Sequence, residues 1–193
     1  ETALALAESL YGGEQNLMAV TAIELPIWLE GELRSDQAGE TGAVWIYRGV
    51  LATQPGPALR QFCLRHLATE QRHLAEINAL LPPQGRSLLL PIWRIAGFLT
   101  GFLPACVSER SVYLTVAAVE TFVQAHYQQQ IVHAEMRQFP NVKEKLAAFM
   151  RDEIDHKDEA ANLAGGLPSA AAKRWCYLVG AGSKIAVRLA RRV

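Results

Sequence analysis

With 193 residues, half of them apolar, the chain is long enough to bury one sizeable core and short for two domains. Nineteen basic side chains match nineteen acidic ones, so no global field draws nucleic acid, and no nucleic-acid partner is expected. Three cysteines, Cys63, Cys106 and Cys176, are widely spaced without a CxxC, which argues against a disulfide framework or a thiolate zinc site and fits a reducing, intracellular setting.

In chain order, the sequence opens at Glu1 without a methionine or a charged-then-apolar leader, so a targeting segment is expected to be absent or already removed. Apolar residues then recur at intervals of three and four, while alternating β-branched runs are missing. The predicted class is all-α. Glycine and proline place breaks at Gly12-Gly13, Pro55-Gly56-Pro57, Pro82-Pro83-Gln84-Gly85, Pro104, Pro140-Asn141 and Gly165-Gly166-Leu167-Pro168. Four long helices are predicted near 33–54, 57–80, 108–139 and 142–164.

The inward stripe of the first helix reads Leu33, Gln37, Glu40, Val44, Tyr47, Leu51, with Glu40 in the seam. The second reads Leu59, Phe62, Cys63, His66, Leu67, Glu70, His73, Leu74, Ile77. The third gives Val112, Val116, Glu120, Val123, Tyr127, Ile131, Ala134, and the fourth Val142, Leu146, Phe149, Glu153, His156, Ala160, Leu163. Every long helix thus points a glutamate at the core, and two of them, through "EQRH" and "EIDH", add a histidine one turn later.

Unpaired carboxylates taken into an apolar interior are penalised by about several kcal/mol each, and four together repel. Two divalent cations would cancel the charge, with neutral imidazoles completing the coordination. Positions three apart share a helix face, about 5 to 6 Å between Cβ atoms, so one metal can take both side chains of an ExxH. A single ExxH also occurs by chance on solvated faces. The ordered set E, ExxH, E, ExxH is the di-iron or di-manganese constellation of ferritin-like bundles, and its oxygen-rich ligands suit iron better than zinc. The expected metal ligands are Glu40, Glu70, His73, Glu120, Glu153 and His156. Tyr127 and Tyr47, each seven residues beyond a seam glutamate, are candidate proton or electron relays, or plain core residues. His126 falls off the stripe and is expected beside the ligands or on the substrate side. His66 reads as a hydrogen-bonded core histidine and His133 as surface. No Ser, His and Asp arrangement presents itself.

Residues 87–107, "SLLLPIWRIAGFLTGFLPACV", carry a single charge, Arg94. Hydropathy alone would read a spanning helix, but Pro91, Gly97, Gly101 and Pro104 fit better a crossover returning along a bundle whose second and third helices are parallel. So apolar a crossover must be covered by protein, another subunit or lipid. The C-terminal segment, 168–192, mixes Trp175, Tyr177, Leu178 and Ile185 with Lys173, Arg174, Lys184, Arg188 and Arg191, as in a helix lying on an anionic membrane surface or, alternatively, in an ordinary capping helix with a solvated basic end.

The segments "RSDQAGETGAVWIYRGV" at 34–50, "EQRHL" at 70–74, "LPIWRIAGFLTG" at 90–101, "VAAVETFVQAHYQQQI" at 116–131, "MRDEIDHKDEAA" at 150–161 and "AGSKIAVRLARR" near the C-terminus resemble the demethoxyubiquinone hydroxylase family. The resemblance runs from about residue 32 to the end, leaving 1–31 as an N-terminal extension of one ferritin-like domain, 1–193. It implies a four-helix bundle with an apolar crossover and a membrane-surface C-terminal helix. It also implies a monooxygenase using two iron ions, dioxygen and electrons ultimately from NADH on a polyprenyl quinone. The implied location is a membrane surface, the cytoplasmic face of a bacterial inner membrane or the matrix face of the mitochondrial one. A homo-oligomer, or a quinone-synthesis complex with a lipid-binding partner, is a further expectation. The same six ligands are implied, with Tyr127 and His126 as catalytic candidates. Gln37 and Thr121 depart from the family pattern, which usually has histidine and a second carboxylate there. Another ferritin-like oxygenase or a non-catalytic metal-binding bundle remains open as an alternative.

Overall fold

The computed structural model describes residues 25–193. The break expected at Gly12-Gly13 lies outside the described residues. Among the described residues six α-helices follow one another: α1 (Ile27–Ala52), α2 (Pro57–Leu80), α3 (Leu90–Ala105), α4 (Glu109–Ile131), α5 (Pro140–Ala164) and α6 (Ala170–Ala190), with short 3-10 turns at Pro83–Gly85 and Ala134–Gln138. No strand occurs among the described residues, and the all-α class holds.

The boundaries have local causes. Pro57 and Pro140 open α2 and α5 in the first turn, where a missing N–H costs nothing. Ser108 and Ser169 accept backbone hydrogen bonds from Ser111 and Ala172 and so cap α4 and α6. Gly165, at φ 55°, ends α5.

Two apolar clusters fix the helix directions. One gathers Tyr47, Val50, Leu59, Phe62, Val112, Val116 and Ala160. The other gathers Leu29, Leu33, Ile77, Leu81, Tyr127, Leu146 and Phe149. Following residue numbers between the clusters, α1 and α5 run one way and α2 and α4 the other. Helices α2 and α4 are therefore parallel, and α3 is the crossover that brings the chain back.

Crossover α3 lies unusually close to α1. A Cβ on Gly97 would stand 2.3 Å from the Gly42 carbonyl oxygen, one on Gly101 1.9 Å from that of Ile46, and one on Gly49 2.2 Å from that of Phe98. Only glycine permits this backbone approach. The opposite face of α3 stays exposed at Ile92, Ile95, Leu99 and Leu103. Helix α6 packs on α1 and α4, with the Trp175 indole N–H donating to Thr115 Oγ1 at 2.8 Å.

Several expectations are corrected. Helix α1 starts at Ile27, not near 33, because Leu29 and Leu33 both join the lower core. Helix α4 stops at Ile131, not 139. The chain leaves the helix to drive Met136 into the core, which leaves Ala134 exposed in a 3-10 turn. Pro104 does not break α3; it sits in the last turn, where the lost backbone bond is near the terminus anyway. Leu163 is half exposed, and Ala164 takes the inward position.

Candidate metal centre

Between the two apolar clusters the same four helices carry polar side chains inward. Glu40, Glu70, Glu120 and Glu153 are at most 3 % exposed, and His73 and His156 are buried with them. The mixture follows from register. Each of these residues occupies a position that the helical period sends to the core, whatever its side chain.

The imidazoles face the carboxylates through Nδ1. His73 Nδ1 lies 3.0 Å from Glu153 Oε1 and 3.7 Å from Glu40 Oε2, and His156 Nδ1 lies 3.1 Å from Glu70 Oε1 and 3.2 Å from Glu153 Oε2. Distance alone does not satisfy them. Glu40 Oε2, Glu70 Oε1, both Glu153 oxygens and both Nδ1 atoms have no hydrogen-bond partner of acceptable geometry. So many orphaned polar atoms in one buried place require an explanation.

Potential ligand atoms form two sets, Glu40, Glu70, His73, Glu153 and Glu70, Glu120, Glu153, His156, each within 4.8 Å. Glu70 and Glu153 belong to both. The donor set, carboxylate oxygens and imidazole nitrogens without thiolates, fits two iron or manganese ions sharing a pair of carboxylates.

Electrostatics show the same strain. Burial, then the charge of Glu153, raises the Glu40 carboxyl to about 7. Burial and neighbouring carboxylates push Glu70 and Glu120 well above the usual range. Burial would raise Glu153 too, but His156 and His73 beside it outweigh that and hold it down at about 2. Burial lowers His73 and His156, yet the facing glutamates reverse the direction and raise both. A cluster that must borrow protons to stay buried is one that cations would relieve.

The surrounding groups orient the cluster. Tyr127 donates to Glu40 Oε1. His73 Nε2 lies 3.0 Å from Asp152 Oδ2, and Asp152 accepts from Arg72 at 2.7 Å, which fixes the ring with Nδ1 inward. His66 bonds Glu159 through Nε2 at 2.9 Å and packs edge-on against His156, as a core histidine. The Tyr47 hydroxyl is buried without a partner, and its ring stacks on His66. His133 is exposed and stacks on Trp28.

Gln37 serves the scaffold and makes no bond to Glu40. Its amide donates to Asn78 Oδ1 and accepts from the Ser87 N–H, tying α1 to the turn before α3. Thr121 points outward and bonds its own helix.

His126 is buried beside the cluster, and a Ser, His and Asp grouping does exist around it, contrary to the sequence reading. His126 Nε2 lies 3.1 Å from Ser35 Oγ and 3.0 Å from Asp36 Oδ1. Both contacts use the same ring nitrogen, so this is not the arrangement in which a base relays a proton between nucleophile and carboxylate. Asp36 and Gln130 had no signal beyond their spacing. Asp36 lies four residues before Glu40, and Gln130 four after His126.

A mainly apolar space of about 310 Å³ opens between α3 and α6, lined by Ala43, Ile46, Trp93, Gly97, Phe122 and Val187 among others. It shares Ser35, Gly39, Ala43, Phe122, Val123 and Val187 with a small inner space of about 30 Å³ that touches Glu40, Glu70, Glu120 and Glu153. Through Trp175 it adjoins a second apolar hollow of about 300 Å³ near Leu103 and Leu114.

The sequence model of the family described as "Ubiquinone biosynthesis protein COQ7" matches residues 27–190. The chain belongs to this family. Among curated relatives, the 3-demethoxyubiquinol 3-hydroxylase of Rhodospirillum rubrum is 34% identical over 165 residues, covering 83% of this chain and 76% of the relative. The NADPH-dependent 3-demethoxyubiquinone 3-hydroxylase, mitochondrial, of Dictyostelium discoideum is 32% identical over 177 residues, 86% of this chain and 77% of that one. The protein of the same name from Caenorhabditis elegans is 25% identical over 179 residues, 91% and 96% of the two chains. The COQ7 family match starts at residue 27, five residues before the start read from motifs alone, and takes in the beginning of α1.

Proposed function

We propose that this chain is an enzyme of ubiquinone synthesis that hydroxylates the ring of a polyprenyl demethoxyquinol, with two iron ions held by Glu40, Glu70, His73, Glu120, Glu153 and His156. One observation carries the reading: two four-residue sets of buried potential ligands that share Glu70 and Glu153, with unsatisfied atoms on every member but Glu120. The names of the relatives supply the reaction. When bound, the iron pair supplies the reduction of dioxygen that ring hydroxylation requires, the electrons coming ultimately from a reduced nicotinamide.

The protein's own contribution is to orient, bind and exclude water. Asp152 holds His73 in the tautomer that leaves Nδ1 free for a metal. Tyr127 occupies one oxygen of Glu40 and so aims the other, Oε2, at the cluster. The 310 Å³ space is the right size and polarity for a quinone ring, and the hollow beyond Trp175 continues it as a path for the isoprenoid tail. Phe122, Val123 and Val187 stand between that space and the glutamates, where they limit water at the reacting ring.

Delivery of so apolar a substrate fits attachment to a membrane surface. Helix α3 exposes Ile92, Ile95, Leu99 and Leu103, and α6 exposes Tyr177, Leu178, Ile185 and Leu189. These two helices frame the mouth of the cavity. No described helix is long and apolar enough to cross a membrane, so the reading is peripheral attachment, on the cytoplasmic face of a bacterial inner membrane or the matrix face of the mitochondrial one. The chain is read as one domain.

Two measurements test this. Purified chain should carry two irons, and Glu120→Ala should lose metal while the helical content stays. Incubation of the loaded chain with a demethoxyquinol, reductant and dioxygen should add one oxygen to the ring mass. Iron uptake with no ring oxidation would favour a storage bundle, and oxidation of a different aromatic would favour another oxygenase of this class.

A further inference from the structure

Hydroxylation of a ring carbon consumes protons as well as electrons: ring C–H, dioxygen, two electrons and two protons give ring C–OH and one water. The 310 Å³ space that would admit the ring is lined by no titratable side chain. The ring's own entrance thus offers no side chain that could pass protons on to the buried cluster.

Beside the start of α1, the end of α4 and the end of α6 lies a polar vestibule of about 240 Å³, lined by Trp28, Glu32, Gln129, Gln130, His133 and Arg191. Arg191 holds Glu32 at its rim, with Nη2 2.9 Å from Oε2. The amide of Gln130, only 3 % exposed, bridges inward: its Nε2 donates to Glu32 Oε2 at 3.1 Å and to Asp36 Oδ1 at 2.7 Å. Nothing holds its Oε1. Asp36 Oδ1 also faces His126 Nε2, while Asp36 Oδ2 is buried and has no partner. Asp36 and His126 both line the small 30 Å³ space that touches the four glutamates. That volume exceeds the roughly 10–15 Å³ a water needs, and the lining offers it several polar partners.

We propose that Glu32 and Asp36, held side by side by Gln130, form the route by which protons pass from solvent to the small inner space beside the glutamate cluster, with Asp36 as the proton-carrying carboxyl. The inference rests on the oxygenase reading for its purpose and on geometry for its path. In each transfer a hydronium ion drawn in past Glu32 gives Asp36 one proton and is left as water, and Asp36 releases one proton from Oδ2 into the small inner space, so the carboxyl is unchanged over a cycle. Gln130 and His126 are positioning residues, holding Oδ1 toward the vestibule. Burial raises Asp36 above the ordinary aspartate range, which makes its protonated form accessible. Two other polar lines reach inward, Arg72–Asp152–His73 and Arg65–Glu159–His66. Each ends on a ligand imidazole or on a ring packed against one. The Asp36 line alone among these reaches open space.

The test uses the full chain and reads two signals. Infrared spectroscopy should find a buried carboxyl C=O band that disappears in Asp36→Asn, shifts in D₂O, and exchanges deuterium at least about tenfold more slowly in Gln130→Leu and Glu32→Gln. In turnover, Asp36→Asn should lower kcat by about 10²-fold and enlarge the solvent isotope effect. KM for quinol and iron content should be unchanged, and Asp36→Glu should restore most of the rate. Should Asp36→Asn fail to fold, Gln130→Leu decides alone, because it leaves Asp36 in place. A carboxyl band absent at every pH where the chain is folded, or exchange that Gln130→Leu leaves untouched, overturns the route. So does Asp36→Asn with wild-type kcat and isotope effect. A wild-type chain that binds no iron or makes no product sinks the oxygenase reading instead, and the infrared exchange still decides the route.

Discussion

The four-helix interior of α1, α2, α4 and α5 and the wall made by α3 and α6 reverse the usual distribution of polarity. The interior buries four glutamates and two histidines with unsatisfied atoms, whereas the wall leaves Ile95 64% and Tyr177 76% exposed. Each is unfavourable for a protein alone in water, the first through desolvated charge and the second through exposed apolar surface. They become reasonable together if the interior is completed by cations and the wall by lipid, with the apolar space between them leading from one to the other. The lesson is that a functional surface can be located where each region breaks the rule for its place in the fold.

Four changes would break or sharpen this contrast, beginning with the largest. Replacing Asp152 by alanine removes the support of His73 while leaving all six candidate ligands in place, and should cost about 10–100-fold in metal affinity or turnover; metal titration of the variant checks it. Gly101→Ala acts on the wall. Its new methyl would meet the Ile46 carbonyl oxygen at 1.9 Å, so α3 must lift from α1, at a cost of about 1–3 kcal/mol in denaturant unfolding.

The third concerns pH in metal-free protein. Glu40 moves from 4.5 unfolded to about 7 folded, so the folded chain binds the extra proton, and its penalty is absent below 4.5 and complete above about 7. Glu70 and Glu120, also raised, add in the same direction. His73 and His156, raised above 6.5 by the glutamates despite burial, contribute stability below 6.5 that is lost as pH climbs through their folded values. His66 opposes them. Burial, then His156, lowers it to about 4, so its neutral folded form loses stability as pH falls from 6.5. Asp36, raised by burial, adds to these five, and Glu153, held down at about 2, loses its contribution mainly below its unfolded 4.5, so the unfolding midpoint of metal-free chain should rise on acidification from about 7 toward 4.5. Metal-loaded chain should show the reverse, since ligands must shed protons to bind, and loading at 100 times Kd should add about 2.7 kcal/mol. Calorimetry of the two forms would decide it.

The smallest effect on stability should come from the wall's outer face. Ile95→Ser should stay within about 0.5 kcal/mol of wild type yet weaken sedimentation with anionic vesicles. Unchanged vesicle binding would mean that another surface, or a second copy of the chain, covers α3.

Much of the interior was legible because helical register needs only the sequence. The inward positions of Glu40, Glu70, His73, Glu120, Glu153 and His156 follow from steps of three and four, and the family motifs fall on the same positions. What could not be read were contacts between helices. Asp36 looked like one more acid in "RSDQAGE" until Gln130 and His126 closed on it from α4, ninety or more residues away. Gln37 looked like a neighbour of Glu40 until Asn78 and Ser87 claimed its amide. Met136 ended α4 by a tertiary choice that the local periodicity of 132–139 did not announce.

By itself the sequence determined the helices and the six side chains that face inward, because periodicity and glycine or proline breaks act within a few residues. Only the tertiary structure decided that α2 and α4 run parallel, that Glu70 and Glu153 belong to both candidate ligand sets, that α3 lies close enough to α1 for glycine alone, and that Asp36 lines the same small space as the four glutamates. Those facts depend on where separate helices stop against one another, and that distance is set by packing of the whole core.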